Sequence, residues 1–128
     1  MQIAKHKAKT LIGKEYRGTF SYVELEGQLI PVIYTIDDLN DLNTVEYHRI
    51  LPETLNEWTG FYDYNGDEIY ENDRVKSRFG DVFDSIVIWN DEEGRYQIKY
   101  LQYTNKENLH LTMRNANDFI IANDLETN

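Results

Sequence analysis

The sequence predicts a mainly β fold, a small closed or partly closed barrel of about five strands, and three observations carry that reading. Apolar and polar residues alternate with a period of two along most of the chain. Turn residues break that alternation about every eight to twelve residues, and an Asn65-Gly66 pair stands between two aromatic-rich segments.

Taken in order, Phe20–Leu25 and Leu29–Tyr34 flank Glu26-Gly27 and predict a hairpin. Pro31 has no N–H to offer a neighbour, so the second of these strands is expected at a sheet edge. From Asp37 to Asn43 the residues Asp, Asn and Leu alternate with little β-branching, which suits a loop or one short helical turn, and Pro52-Glu53-Thr54-Leu55 begins another. Residues 57 to 103 are expected to form a four-strand meander. Asn65-Gly66 turns Phe61-Tyr62 back into Ile69-Tyr70, because both turn residues tolerate positive φ. Gly80-Asp81 turns Val75–Phe79 into Val82–Trp89, and Asn90–Gly94 makes an acidic turn into Arg95–Tyr103. The unbroken apolar run Ile86-Val87-Ile88-Trp89 predicts the most buried strand. Leu109–Met113 and Phe119–Ile121 supply two further short strands.

Residues 58 to 75 are the most informative stretch. Trp58-Thr59-Gly60, Asp63, Asn65-Gly66, Ile69-Tyr70-Glu71, Asp73 and Val75 fill eleven positions of a signature without a gap. This run resembles the YopX family of phage and prophage proteins. Ile50–Thr54 is similar to the lead-in of that family, and Ile120-Ile121-Ala122-Asn123 to its closing hydrophobic-Gly-Asn element, with Ala122 where the family usually has Gly. The resemblance covers residues 48 to 124 and implies an SH3-like barrel core there, with residues 1–47 as an added N-terminal β-hairpin segment. Within it, Trp58, Gly60, Asn65, Gly66, Tyr70 and Val75 are expected to be structural. The family implies a fold and a phage setting, and no reaction.

A chain of 128 residues fits one domain. No cysteine is present, which excludes disulfides, thiolate metal sites and cysteine nucleophiles together and suits a reducing compartment. Apolar runs are far shorter than a membrane span of about 20 residues, and the first residues lack the apolar stretch of a signal peptide. A host-cytoplasmic protein is the expectation. The net charge is −10, and residues 57–128 hold seven basic against fifteen acidic side chains. That sign opposes phosphate-backbone binding, so direct nucleic-acid binding is not expected. The exception is the N-terminus, where Lys5, Lys7, Lys9, Lys14 and Arg17 face only Glu15; this reads as a solvated strand face.

The chemical motifs are few. His6, His48 and His110 lie far apart, and neither a phosphate loop nor a nucleophile elbow is present. A calcium loop starting at Asp63 would need Gly at position 6 and Glu at position 12; here Gly falls at position 4 and position 12 is Arg74, so an Asx-stabilised turn is expected and no metal or other cofactor. Among neighbouring carboxylates only pairs such as Glu71/Asp73 share a strand face, and these read as acceptors for turn backbone rather than as an acid–base pair. Tyr62 and Tyr64, with Asp63, Asp67, Glu68, Glu71 and Asp73 around the turn, are the expected partner-binding residues, since exposed tyrosines bury area at low entropic cost. The sequence therefore reads as a non-enzymatic accessory protein that binds a host or phage protein or assembles with itself. The alternative is an acidic inhibitor of host defence, anti-CRISPR or anti-restriction, whose carboxylates stand in for phosphates.

Overall fold

The computed structural model describes residues 5–36, 40, 44–79, 84–101 and 107–123. They form two antiparallel sheets of six and five strands, and the chain divides into compact units of residues 1–57 and 58–128.

In the first unit, β1 (His6–Lys9), β2 (Glu15–Leu25), β3 (Gln28–Ile36) and β4 (Val45–Arg49) pair antiparallel, and Asn56-Glu57 at the start of β5 (Asn56–Tyr62) lie beside β1. The expected β2–β3 hairpin is present. Leu25 faces Gln28 across a two-residue loop in which Glu26 and Gly27 have φ of 51° and 80°, the paired left-handed residues that match strand twist. Pro31 does not mark an edge, because β3 runs between β2 and β4. The β4 ladder stops one residue short of it, at Val32 opposite Arg49, and the Pro31 carbonyl accepts from Ile50 N at 3.1 Å. The missing donor therefore points to where the neighbouring strand has already ended. Beyond Gly18 on β2 and Pro31 on β3 the hairpin continues as a two-stranded ribbon, since β1 pairs only with Glu15–Gly18 and β4 only with Val32–Ile36.

Gly18 permits a close approach. A Cβ there would stand 2.4 Å from the Tyr34 carbonyl oxygen. The core of this unit is Ala8, Ile33 and Ile50, with Tyr16, Phe20 and Leu55 packed around it. Residues 52–55 do begin a turn: Pro52–Thr54 is 3₁₀, and the Thr54 hydroxyl accepts from Lys9 N at 2.8 Å and donates to Leu51 O at 2.7 Å.

In the second unit β5 continues and pairs with β6 (Glu68–Tyr70), while β7 (Arg74–Ser77), β8 (Ser85–Asn90), β9 (Arg95–Tyr100), β10 (Leu109–His110) and β11 (Phe119–Ile121) form the other sheet. The expected meander is thus interrupted between β6 and β7. Asn72 takes φ of 70° and donates to Val87 O at 2.7 Å, while Asp73 O accepts from Val87 N at 3.0 Å, so this turn docks on β8 instead of returning a strand along β6. The sheets are open and the expected barrel does not close. Edge strands β10 and β11 do not pair among the described residues; the chain between them enters a four-residue helix, α1 (Met113–Ala116), where Leu109–Met113 was expected to be strand throughout. Thr112 and Asn115 form a capping box that starts this helix, and that local bonding competes with extended backbone.

Ile69, Val75, Val87, Ile98, Leu111, Ala116 and Phe119 form the second core. The apolar run of β8 is central in its sheet, yet only one of its faces is fully inside: Ser85 and Val87 are buried, Ile86 and Ile88 are half-buried and Trp89 is exposed. That is the pattern of an antiparallel sheet covered on one side. The acidic turn at Asn90–Gly94 is present, with Gly94 at φ of 65° and its N–H on Asn90 O at 2.8 Å. The expected turns at Asp37–Asn43, apart from Asn40, and at Gly80-Asp81 lie outside the described residues. No helix among the described residues is long and apolar enough to cross a membrane.

Candidate functional site

The signature residues of the second unit build a hydrogen-bonded frame, and the frame positions an exposed aromatic face. Trp58-Thr59-Gly60 is a β-bulge. Trp58 faces Tyr70 and Tyr62 faces Glu68, so β5 spends three intervening residues where β6 spends one, and Gly60 accommodates the bend at φ of 88°. The Thr59 hydroxyl donates to Ile69 O at 2.8 Å and accepts from Phe61 N at 3.2 Å, supplying partners where the bulge disrupts the ladder. Trp58 donates its indole N–H to Phe61 O at 3.2 Å and meets Tyr62 edge-on at 5.5 Å. Tyr70 and Val75 are fully buried.

Two carboxylates hold the frame to the last strand. Asp63 Oδ1 accepts from Asn65 N at 2.9 Å and Asp67 N at 2.8 Å, which is the Asx turn expected from the sequence, and its Oδ2 accepts from Ile121 N at 3.0 Å. Gly66 completes the turn at φ of 83°, donating to Asp63 O at 3.0 Å. Asp73 Oδ2 accepts from Tyr70 N at 2.8 Å and its Oδ1 from Asn123 Nδ2 at 2.9 Å; Asn123 Oδ1 in turn accepts from Arg74 N at 2.7 Å. Buried charges persist where several donors converge on them. Next to this frame, Arg74 donates its Nε to Asp84 Oδ1 at 2.8 Å and its terminal nitrogen to the other oxygen. That hydrogen-bonded carboxylate raises the pKa of Arg74 further above its ordinary value.

Asp63 and Asp73 were expected at a partner-binding surface, yet each is only 2 % exposed. Their chemistry is spent on backbone N–H groups and Asn123. Of the other expected residues, Asp67 is exposed, Glu71 is half-buried, and half-buried Glu68 accepts from the Tyr70 hydroxyl at 3.2 Å. Tyr62 and Tyr64 are exposed as expected. The histidines are dispersed: His48 stacks on Tyr16, His6 is half-buried and His110 is exposed. Among the described residues no three of His, Asp and Glu group so as to hold a metal ion.

The sequence reading missed Arg78 and Phe79. The Arg78 guanidinium lies 5.0 Å from the Tyr64 ring centre and 4.2 Å from that of Phe79, within cation–π range of two exposed rings. Backbone bonds fix this group to β11: Tyr64 N donates to Phe119 O at 2.8 Å and Arg78 N to Asp118 O at 2.9 Å. Arg78 Nε also reaches Asp118 Oδ1 at 3.4 Å. An arginine followed by an aromatic residue just before a Gly-Asp pair was the available sequence signal.

A family model described as YopX protein matches residues 12–123. The chain belongs to the YopX family. That match extends well upstream of the segment on which the sequence resemblance rested, reaching the turn between β1 and β2. No curated protein matches the chain. In this YopX protein the signature residues have assignable physical roles. Gly60 and Gly66 take left-handed backbone, Thr59, Asp63 and Asp73 satisfy backbone donors and acceptors, and Tyr70 and Val75 fill the interior.

Proposed function

We propose that this YopX protein is a non-enzymatic phage or prophage accessory module that captures a protein partner through the face formed by Tyr64, Arg78 and Phe79, with Tyr62 on the adjoining strand. The supporting observation is the Arg78 guanidinium held against two exposed rings. Large rings on a backbone-anchored support bury area with little loss of side-chain freedom, and arginine and tyrosine are the residue types that dominate binding energy at protein interfaces. The phosphate-mimic alternative draws less support, because Asp63 and Asp73 point inward.

The test is affinity capture of a partner from host lysate with and without phage infection, followed by binding measurements on the captured protein. Tyr64→Ala and Phe79→Ala are each expected to weaken binding by about 1–3 kcal/mol. Reversing Asp67, Glu68 and Glu93 to Lys is expected to leave it nearly intact. Binding that disappears with the reversals and survives both ring truncations would make the acidic mimic the better reading.

A further inference from the structure

The first unit carries two uncovered apolar features that complement one another. One is the β2–β3 ribbon. Cross-strand partners share a face, so Tyr22 and Pro31 stand with Glu24 and Leu29 on one side, while Val23 and Ile30 stand with Leu25 and Gln28 on the other. Both faces therefore carry apolar side chains, and Leu25 and Leu29 are 58 % and 69 % exposed. A two-stranded ribbon is marginal in water unless something covers it. Its only charged residues are Glu24 and Glu26, and no Lys or Arg occurs anywhere between Arg17 and Arg49.

The other feature is a groove of about 580 Å³, within the range of natural binding pockets. Leu11 and Ile12, at the turn between β1 and β2, form one wall and are 85 % and 87 % exposed; Tyr47, Arg49 and Leu51 form another. Tyr16 and His48 also line it, stacked with ring centres 3.6 Å apart. Its charge is opposite to that of the ribbon: the Lys14 ammonium sits 5.0 Å over the Tyr16 ring and Arg49 is on the wall, while the nearby Glu46 carboxylate lies 3.4 Å from His48 Nε2. No ribbon residue lines the groove of its own chain.

We infer that two copies of this chain exchange ribbons, each copy seating its acidic, apolar β2–β3 hairpin in the cation-bearing apolar groove of the other. The occupant is a second copy because the two complementary surfaces, apolar against apolar and two carboxylates against Lys14 and Arg49, belong to one unit of one chain. A reciprocal exchange covers both and closes as a two-fold dimer with neither feature left over. Isolated apolar residues at a surface are ordinary; a ribbon apolar on both faces together with a groove walled by leucine and isoleucine marks an interaction site. This surface shares no residue with the Tyr64–Arg78–Phe79 face, so either assignment stands or falls without the other.

Sedimentation of the full chain at micromolar concentration tests the exchange. The unaltered protein is expected to be a dimer. A groove variant, Leu11→Asp with Ile12→Asp, and a ribbon variant, Leu25→Asp with Leu29→Asp, are each expected to weaken dimerisation at least about tenfold, as loss of an interface centre does. Mixing the two variants is expected to restore association, because the intact groove of one meets the intact ribbon of the other. Cysteine pairs provide a second route that spares the fold, since the natural chain has none. A Leu29→Cys chain mixed with an Ile12→Cys chain is expected to form the mixed disulfide faster than either forms its own. A monomer throughout, a dimer indifferent to both double variants, or no preference for the mixed disulfide would each overturn the exchange.

Discussion

Asp63 shows how one side chain organises the signature. Its two oxygens receive three backbone N–H groups, and two of those donors lie within its own turn while the third is 58 residues away. Replacing it by Ala leaves all three without that acceptor, and at about 1–3 kcal/mol for each unsatisfied buried group, partly relieved by water, Asp63→Ala is expected to cost about 3 kcal/mol or more. Asp63→Asn keeps one oxygen and is expected to fall between. Urea unfolding checks the order, and an Ala variant within about 1 kcal/mol of the unaltered protein would contradict the assigned bonding. At Gly66 a Cβ would meet nothing within 4 Å, so the penalty there is conformational alone. With φ at 83°, Gly66→Val is expected to cost about 1–3 kcal/mol, read from the same unfolding curves. The turn was legible because Asn-Gly and a preceding Asp have one common local use. The inward direction of Asp63 and Asp73 was not, since an acidic residue next to a turn has the same composition whether it faces solvent or a distant N–H.

Among the elements, the two hairpins announced by Glu26-Gly27 and Asn65-Gly66 were readable because a glycine-bearing turn pair between alternating segments leaves few other geometries, although only the first pair is left-handed at both residues and in the second Gly66 alone takes positive φ. The break after β6 was hidden by Asn72, whose positive φ sits in a run that otherwise reads as strand leading into strand. Helix α1 is shorter than two turns, too short for any periodicity to reveal it. Leu11 and Ile12 stand at an exposed turn, and two bulky apolar residues carry no turn signal of their own. Gly18 likewise carries no local signal, because its need for a missing side chain comes from β3 passing over it. Its nearest neighbour is a backbone oxygen, which no rotamer change can move, so Gly18→Ala must displace β2 from β3. A loss of about 1–3 kcal/mol is expected, together with altered amide chemical shifts at Tyr34 and Thr35. Unchanged shifts at both would show that the strands do not approach so closely.

On the scale of the whole chain, the two units differ in what holds them. Three fully covered apolar residues make the first core and seven the second, and burial of such side chains is worth about 1.5–3 kcal/mol each. Hydrogen exchange is accordingly expected to be faster at Ala8 and Ile33 than at Val87 and Ile98 by at least about tenfold, and equal protection across all four would mean that the units unfold together. The stitching of the second unit also has a temporal side. The contacts of its signature with Ile121 and Asn123 span 49, 50 and 58 residues, whereas the first unit is made of residues 1–57. As the ribosome extends the chain from its N-terminus, the whole of the first unit is translated long before the second is complete. Asp63 and Asp73 emerge early and stay solvated, waiting for a strand not yet translated. A stop codon just ahead of Phe119 would therefore release a nascent polypeptide whose N-terminal half folds and whose signature, present in full, never closes.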